Sequence, residues 1–413
     1  MIFKGTRIVY TLSVMVYILI LLFCLFPFSL SYGSTGDEFV DLTEKTADSL
    51  GKVLRSSEYT EAQLLIEHWL LEYGKLESKK KDEFKHVEKN MYFLSACVLA
   101  EDGETSRALS ALNEAIVKGY RNYDQIMGDK HLKRLHGIRE FTSIAEKLRK
   151  QTDYLSILKA SGEYSTSKST VPTLQFTHPN NNDLSRLRTI YKLDSIAGNV
   201  NERDKFTTIL NWVQSKVSHN GNKAIPDERD ALSLLNGNKE LDCRGLATIL
   251  NEAYLSLGYP SRITLCMPRD HTDGECHVVV SVYSKHYSRW IMMDPTSNAY
   301  ICDENGQILG LKEIREKIIS GEPMILNSDA NWNGRVNRTI DEYLYTYMAK
   351  NLYWFETPVI NTFGSETFID GKRVDYIRLY PTRYKEEEGK TMPYKHGEVF
   401  ITTNENDFWQ APK

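Results

Sequence analysis

The chain has 413 residues, 41% of them apolar and 26% charged, with a net charge of −4. That length exceeds what one core usually organises and predicts two or three domains. The apolar content with charges of both signs excludes a disordered chain, and the lack of a basic excess excludes nucleic acid as a partner class.

The first 34 residues stand apart. Lys4 and Arg7 precede an apolar run from Ile8 to Phe28, and Ser29, Ser31, Gly33 and Ser34 follow. A basic start, an apolar middle and small residues at the end are the pattern of a signal peptide. The run is nearly long enough to span a bilayer, so an uncleaved anchor through residues 8–28 stays open. Phe23 is too large for the position before a lipidated Cys24. Either reading exports the body of the protein to the periplasm or the extracellular space. Cys24 belongs to this leader, and Cys97, Cys243, Cys266, Cys276 and Cys302 remain. An odd number leaves at least one free thiol unless chains pair.

Residues 37–155 read as helical. Leu64, Leu65, Trp69, Leu70 and Tyr73 recur at a helical period. Met91–Ala100 and Arg107–Gly119, separated by a turn at Gly103, form a helical hairpin with Ala at its contacts. The hairpin resembles a tetratricopeptide repeat, an all-α unit whose surface docks a protein partner, although an ordinary bundle fits too. Residues 156–183 are rich in Ser, Thr, Asn and Pro and read as a linker.

A third region spans residues 184–355. Helices are predicted over Leu184–Ile196, with Asp183 as its cap, over Arg203–Val217, and at Ala231–Leu235. Then comes Leu241-Asp-Cys-Arg-Gly-Leu-Ala247, with an amphipathic helix over Arg244–Leu257 that stops at Gly258 and Pro260. Asp242 is the cap, so Cys243 lies in the first turn, where unpaired N–H groups and the positive dipole end favour a thiolate. Strands follow at Ser261–Met267, Cys276–Tyr283 and Arg289–Met293. The last two form a hairpin through Ser284–Ser288. If Tyr283 faces Ser288, His277 lies opposite Asp294, with the two Cβ atoms about 5 Å apart on one face. A register slip of one residue would separate them onto opposite faces. Cys, His and Asp so placed are a nucleophile, a base and an orienting acid. Ile340–Trp354 reads as an aromatic-rich buried helix, and residues 356–413 as a β-rich extension with strands near Arg373–Tyr384 and Glu398–Thr403.

These residues resemble the core of transglutaminase-like proteins: Asp-Cys-Arg-Gly-Leu-Ala at a helix start, His-Val-Val-Val-Ser-Val-Tyr, then Arg-Trp-Ile-Met-Met-Asp-Pro-Thr, with Ile209–Val217 as the preceding helix. The resemblance covers about 184–305. It implies an α+β, papain-like core with the nucleophile helix packed on an antiparallel sheet, Cys243 as nucleophile, His277 as base and Asp294 as orienting acid. Activity would be acyl transfer from an amide through a Cys243 acyl-enzyme, to water as in a peptidase or amidase, or to an amine as in a transglutaminase. The substrate would be a peptide or protein of the cell envelope. Val278 departs from the family, where an aromatic residue often follows the His. No oxyanion side chain is evident; Asn236, Asn238, Trp212 and His219 are the candidates. A catalytically inactive peptide-binding scaffold is the alternative. Asp270, His271, Asp273 and Glu275 lack zinc or calcium spacing, and no metal or cofactor is expected. Cys266 and Cys276 flank that loop as a candidate disulfide. Arg244 reads as one half of an ion pair.

Overall fold

A computed structural model describes residues 38–166, 171–221, 223, 226–270, 276–367, 372–384 and 397–412. The leader at 1–34 and residues 271–275 of the acidic loop lie outside the described residues. The chain divides into two compact units, one ending at Asp153 and one starting at Tyr154. Among the described residues no helix is long and apolar enough to cross a membrane.

The first unit is helical: α1 (Glu38–Arg55), α2 (Tyr59–Gly74), α3 (Ser78–Glu101), α4 (Thr105–Val117), α5 (Tyr123–Gly128) and α6 (Arg139–Thr152). Successive helices from α1 to α4 pack on one another. Phe39, Trp69, Tyr73 and Phe84 cluster ring to ring in its core. The Trp69 indole N–H donates to Thr43 Oγ1 at 2.9 Å, so this large side chain is buried without an unpaired polar atom. The stretch 91–100 is the second half of the long α3 rather than a short repeat helix.

The second unit mixes helix and sheet. Its helices are α7 (Tyr154–Ala160), α8 (Asn182–Ile190), α9 (Glu202–Lys216), α10 (Ala231–Gly237), α11 (Cys243–Ser256) and α12 (Leu311–Ser320). Short strands β1 (Ser218–His219) and β2 (Glu240–Leu241) pair in parallel just before α11. Six further described strands form the main sheet: β3 (Ser261–Met267), β4 (His277–Ser284), β5 (Arg289–Met293), β6 (Trp354–Pro358), β7 (Tyr376–Leu379) and β8 (Val399–Thr402), in the order β8-β7-β6-β3-β4-β5. Cross-strand partners share a face. Ile263 with Val280, Leu265 with Val278, and Val280 with Met293 make the β3–β5 part of one face largely apolar. The other carries Arg262, Thr264, Cys266, His277 and Ser281.

Helix α11 packs against β3 and β4 as well as α8, α9 and α10. Every residue from Gly245 to Ser256 is therefore buried. Asp242 caps it as predicted, its Oδ1 accepting the Gly245 N–H at 2.8 Å. A Cβ on Gly245 would lie 3.0 Å from Leu241 Cβ, so glycine lets β2 run straight into the helix.

Several predicted boundaries differ. The stretch 156–183 is not a linker. It includes most of α7, Leu158 and Leu174 lie in the main core, and Gln175–Phe176 pairs with Ile360–Asn361. Asn181, not Asp183, caps α8, its Oδ1 accepting two N–H groups. The helix predicted through Ile196 breaks at Lys192, whose φ of +52° ends one helix and starts another at Leu193–Ala197. The tail is no extension: β7 and β8 complete the main sheet, and a buried ion pair from Arg378 to Glu356 at 2.7 Å ties β7 to β6. The last residues fold back on β3, where Arg262 donates to the Phe408 carbonyl at 2.8 Å. The predicted helix 340–354 is instead a π-helix over Asp341–Met348, a short turn at Ala349–Asn351, and then β6.

Candidate active site

Asp242 and Gly245 fix the start of α11 and so set Cys243, half-buried, in its first turn. Strand β4 begins at His277 and β5 ends just before Asp294. The hairpin register differs from the predicted one by two residues: Tyr283 faces Trp290, and Val280 faces Met293. The four-residue turn moves one position along the chain, to 285–288, where the Glu202 carboxylate gathers Ser284 Oγ and the N–H groups of Lys285 and His286. An even shift keeps side-chain parity, so His277 and Asp294 still share a face, diagonally rather than directly opposed. A diagonal separation suits the far ring nitrogen. His277 Nε2 and Asp294 Oδ2 are 2.9 Å apart, and both residues are completely buried.

The rest of Asp294 is equally occupied. Its Oδ1 accepts the Thr296 N–H at 2.9 Å, and its Oδ2 also accepts the Tyr343 hydroxyl at 2.9 Å. Burial works against the charge on Asp294, but His277 and these two donors hold its carboxyl below the usual range. Burial likewise disfavours an imidazolium. The Asp294 carboxylate, by charge and hydrogen bond, and Cys243 beside the ring outweigh it and push His277 up to about 10. His277 Nδ1 is buried with no hydrogen-bond partner. Two neighbours thus favour the charged ring, the fixed carboxylate of Asp294 and Cys243.

Two tyrosines four residues apart on the π-helix bracket this pair. Tyr343 holds Asp294, and Tyr347 meets the His277 ring edge-on at 5.0 Å between centroids. A π-helix spaces residues more widely per turn than an α-helix and is frequent at functional sites. Sequence reasoning read both tyrosines as core. Their i, i+4 spacing in an apolar segment gave no sign that one hydroxyl is aimed at a carboxylate.

The four cleft candidates separate. Trp212 is buried and packs edge-on against Tyr191 at 5.6 Å. Asn236 is exposed on α10, and the Asn238 amide donates to the Leu234 carbonyl at 3.2 Å, capping that helix. His219 is the one coupled to the site. It pairs with Leu241 two residues before Cys243, its Nδ1 accepts the Trp332 indole N–H at 3.1 Å, and burial followed by the charge of His277 lowers it to about 4.

Arg244 forms the expected ion pair, to the buried Glu366 at 2.8 Å, and Tyr376 Oη donates to the same carboxylate oxygen at 2.7 Å. Cys266 and Cys276 are free thiols, not a disulfide, as are Cys97, Cys243 and Cys302. Burial pushes the thiols of Cys97, Cys266, Cys276 and Cys302 up, which keeps them protonated.

No curated protein matches the chain. Tyr343, Tyr347 and Trp332 all come from beyond residue 295. Residues 190–295, the span that holds Cys243, His277 and Asp294, match the family described as the transglutaminase-like superfamily, and this part of the second unit is a transglutaminase-like domain.

Proposed function

We propose that the protein is a cysteine-dependent enzyme acting on amide bonds. The Cys243 thiolate attacks a carboxamide or peptide carbonyl, and the C–S bond forms as the carbonyl electron pair moves to oxygen. Collapse of that intermediate breaks the C–N bond, and the His277 imidazolium gives its proton to the departing amine. Asp294 orients the ring and stabilises its positive charge. Water or an acceptor amine then releases the acyl group. One observation carries the reading: a buried His277–Asp294 hydrogen bond of 2.9 Å whose imidazole also interacts with Cys243.

The leader-like sequence at 1–34 supports an exported enzyme, periplasmic or extracellular, with a peptide or protein of the cell envelope as substrate. The tetratricopeptide-like reading of the helical unit supports partner docking there.

Iodoacetamide labelling followed residue by residue tests the chemistry. Cys243 should alkylate at least about tenfold faster than Cys276 near neutral pH, and His277→Ala should remove that advantage. Equal rates, unchanged by His277→Ala, would favour a peptide-binding scaffold instead.

A further inference from the structure

We propose that His219 is the side-chain oxyanion donor of this site, its Nε2–H meeting the carbonyl oxygen as Cys243 attacks, beside the backbone N–H of Cys243 itself. The proposal rests on Cys243 being the nucleophile. When the C–S bond forms, the carbonyl electron pair becomes a full charge on oxygen, and fixed donors there are usually the largest catalytic contribution. The Cys243 N–H is one such donor, because first-turn N–H groups have no partner within their own helix. A second must come from a neighbouring element.

Strand β1 supplies it. His219 pairs in register with Leu241, and the chain continues from Leu241 through Asp242 into Cys243. Paired strands lie about 4.8 Å apart, so the imidazole stands beside the segment that presents the thiol. Its backbone is held on both sides by one residue: Asn333 Oδ1 accepts the His219 N–H at 2.6 Å, and Asn333 Nδ2 donates to the His219 carbonyl at 2.9 Å. The ring is held too. The Trp332 indole is a donor only, so a 3.1 Å bond to His219 Nδ1 requires that nitrogen to be unprotonated. The neutral ring therefore carries its proton on Nε2. Among the described residues nothing accepts a hydrogen bond from Nε2.

The electrostatics agree with this geometry. Burial first, and then the charge of His277, keep His219 neutral across the physiological range. A neutral donor does not compete with His277 for the thiol proton. It also does not neutralise the developing oxyanion by losing a proton. The two histidines thus divide the work: one charged and paired to a carboxylate, one neutral and fixed as a donor.

Two reagents on the full chain separate this role from a structural one. Iodoacetamide alkylates a thiolate by displacing iodide from a saturated carbon, with no oxyanion. p-Nitrophenyl acetate acylates it through a tetrahedral oxyanion and releases p-nitrophenolate. His219→Ala should leave alkylation of Cys243 within about twofold and slow its acylation by about 10²–10³-fold. His219→Gln keeps an N–H donor at a similar reach and should recover about tenfold or more of that loss. Trp332→Phe, which leaves the tautomer unfixed, should slow acylation less than His219→Ala and spare alkylation. If His219→Ala slows both reactions equally, or neither, His219 is not the oxyanion donor. If the unmodified Cys243 takes neither reagent faster than Cys276, the nucleophile assignment itself fails.

Discussion

Tyr343 reaches an oxygen of Asp294 that is already bonded to His277. It does so from the π-helix, with its ring buried and its hydroxyl 2.9 Å from Oδ2. A hydrogen bond to a charged group contributes about 1.5–3 kcal/mol. Tyr343→Phe keeps the ring and removes only that bond, so it should destabilise the protein by about this amount at pH 7. The pH dependence identifies the partner. Asp294 has a carboxyl lowered from its ordinary 3.8, so its stabilising contribution is present above that value and lost as the pH falls through its folded value. The gap in unfolding temperature between wild type and Tyr343→Phe should therefore narrow as the pH falls through that range. In activity, the acid limb of the Tyr343→Phe profile should move to higher pH, because Asp294 then accepts a proton more readily. A gap that never narrows at any acid pH at which the protein stays folded would mean that the hydroxyl serves packing and not the carboxylate.

At the scale of elements, the start of α11 is the part that local sequence describes best. A capping Asp, a Cys in the first turn, a Gly where the strand enters and an apolar stripe all act within a few residues of one another, and all appear in place. Asp242→Ala should cost about 1 kcal/mol of stability, and Asp242→Asn, which keeps a side-chain oxygen acceptor, a few tenths. Chemical unfolding measures the cost. Iodoacetamide labelling should show Cys243 slowed in the Ala variant and near wild type in the Asn variant. Equal behaviour of the two would mean that the charge matters and the cap does not. What local sequence left unread depends on contacts made far along the chain. The β4–β5 register rests on Glu202, some eighty residues upstream, drawing Ser284 and the loop N–H groups to one carboxylate. The π-helix looks like an α-helix in its apolar spacing, and only its tertiary partners distinguish it. Strands β7 and β8 are short and pair in parallel, and their place in the sheet depends on Arg378 finding Glu356. The pairing of His277 with Asp294 is nevertheless legible, because the period of a strand is two and an even slip leaves the faces unchanged.

The whole molecule should lose stability above neutral pH, because two buried groups of the second unit hold their protons more tightly in the folded state. Glu252 sits at the middle of α11 with no exposure, its two oxygens accepting the Ala231 and Gly364 N–H groups at 2.8 Å each. Burial outweighs those donors and raises its carboxyl from 4.5 to about 8. A group whose folded value stands above its unfolded one binds its proton more tightly when folded. Its contribution is complete below pH 4.5 and is lost as the pH rises through about 8. His277 acts in the same sense over a later window, complete below 6.5 and lost through about 10. Asp294 opposes both only below its ordinary 3.8, and His219, lowered from 6.5 to about 4, opposes them between those two values. The unfolding temperature should thus change little from about pH 5 to pH 6.5, where Glu252 and His219 offset each other, and fall from there to pH 9 as the Glu252 and His277 contributions are lost. Glu252→Gln tests the first of them. The amide keeps one acceptor oxygen and loses the other, so the variant should be less stable than wild type at pH 5, by about 1 kcal/mol. It has no proton to lose, so it should be the more stable of the two at pH 9. The two curves of unfolding temperature against pH should cross between those limits, and the fall that remains in the variant should be the one owed to His277. Parallel curves would show that Glu252 is charged in the folded protein at neutral pH, with its two N–H donors outweighing burial.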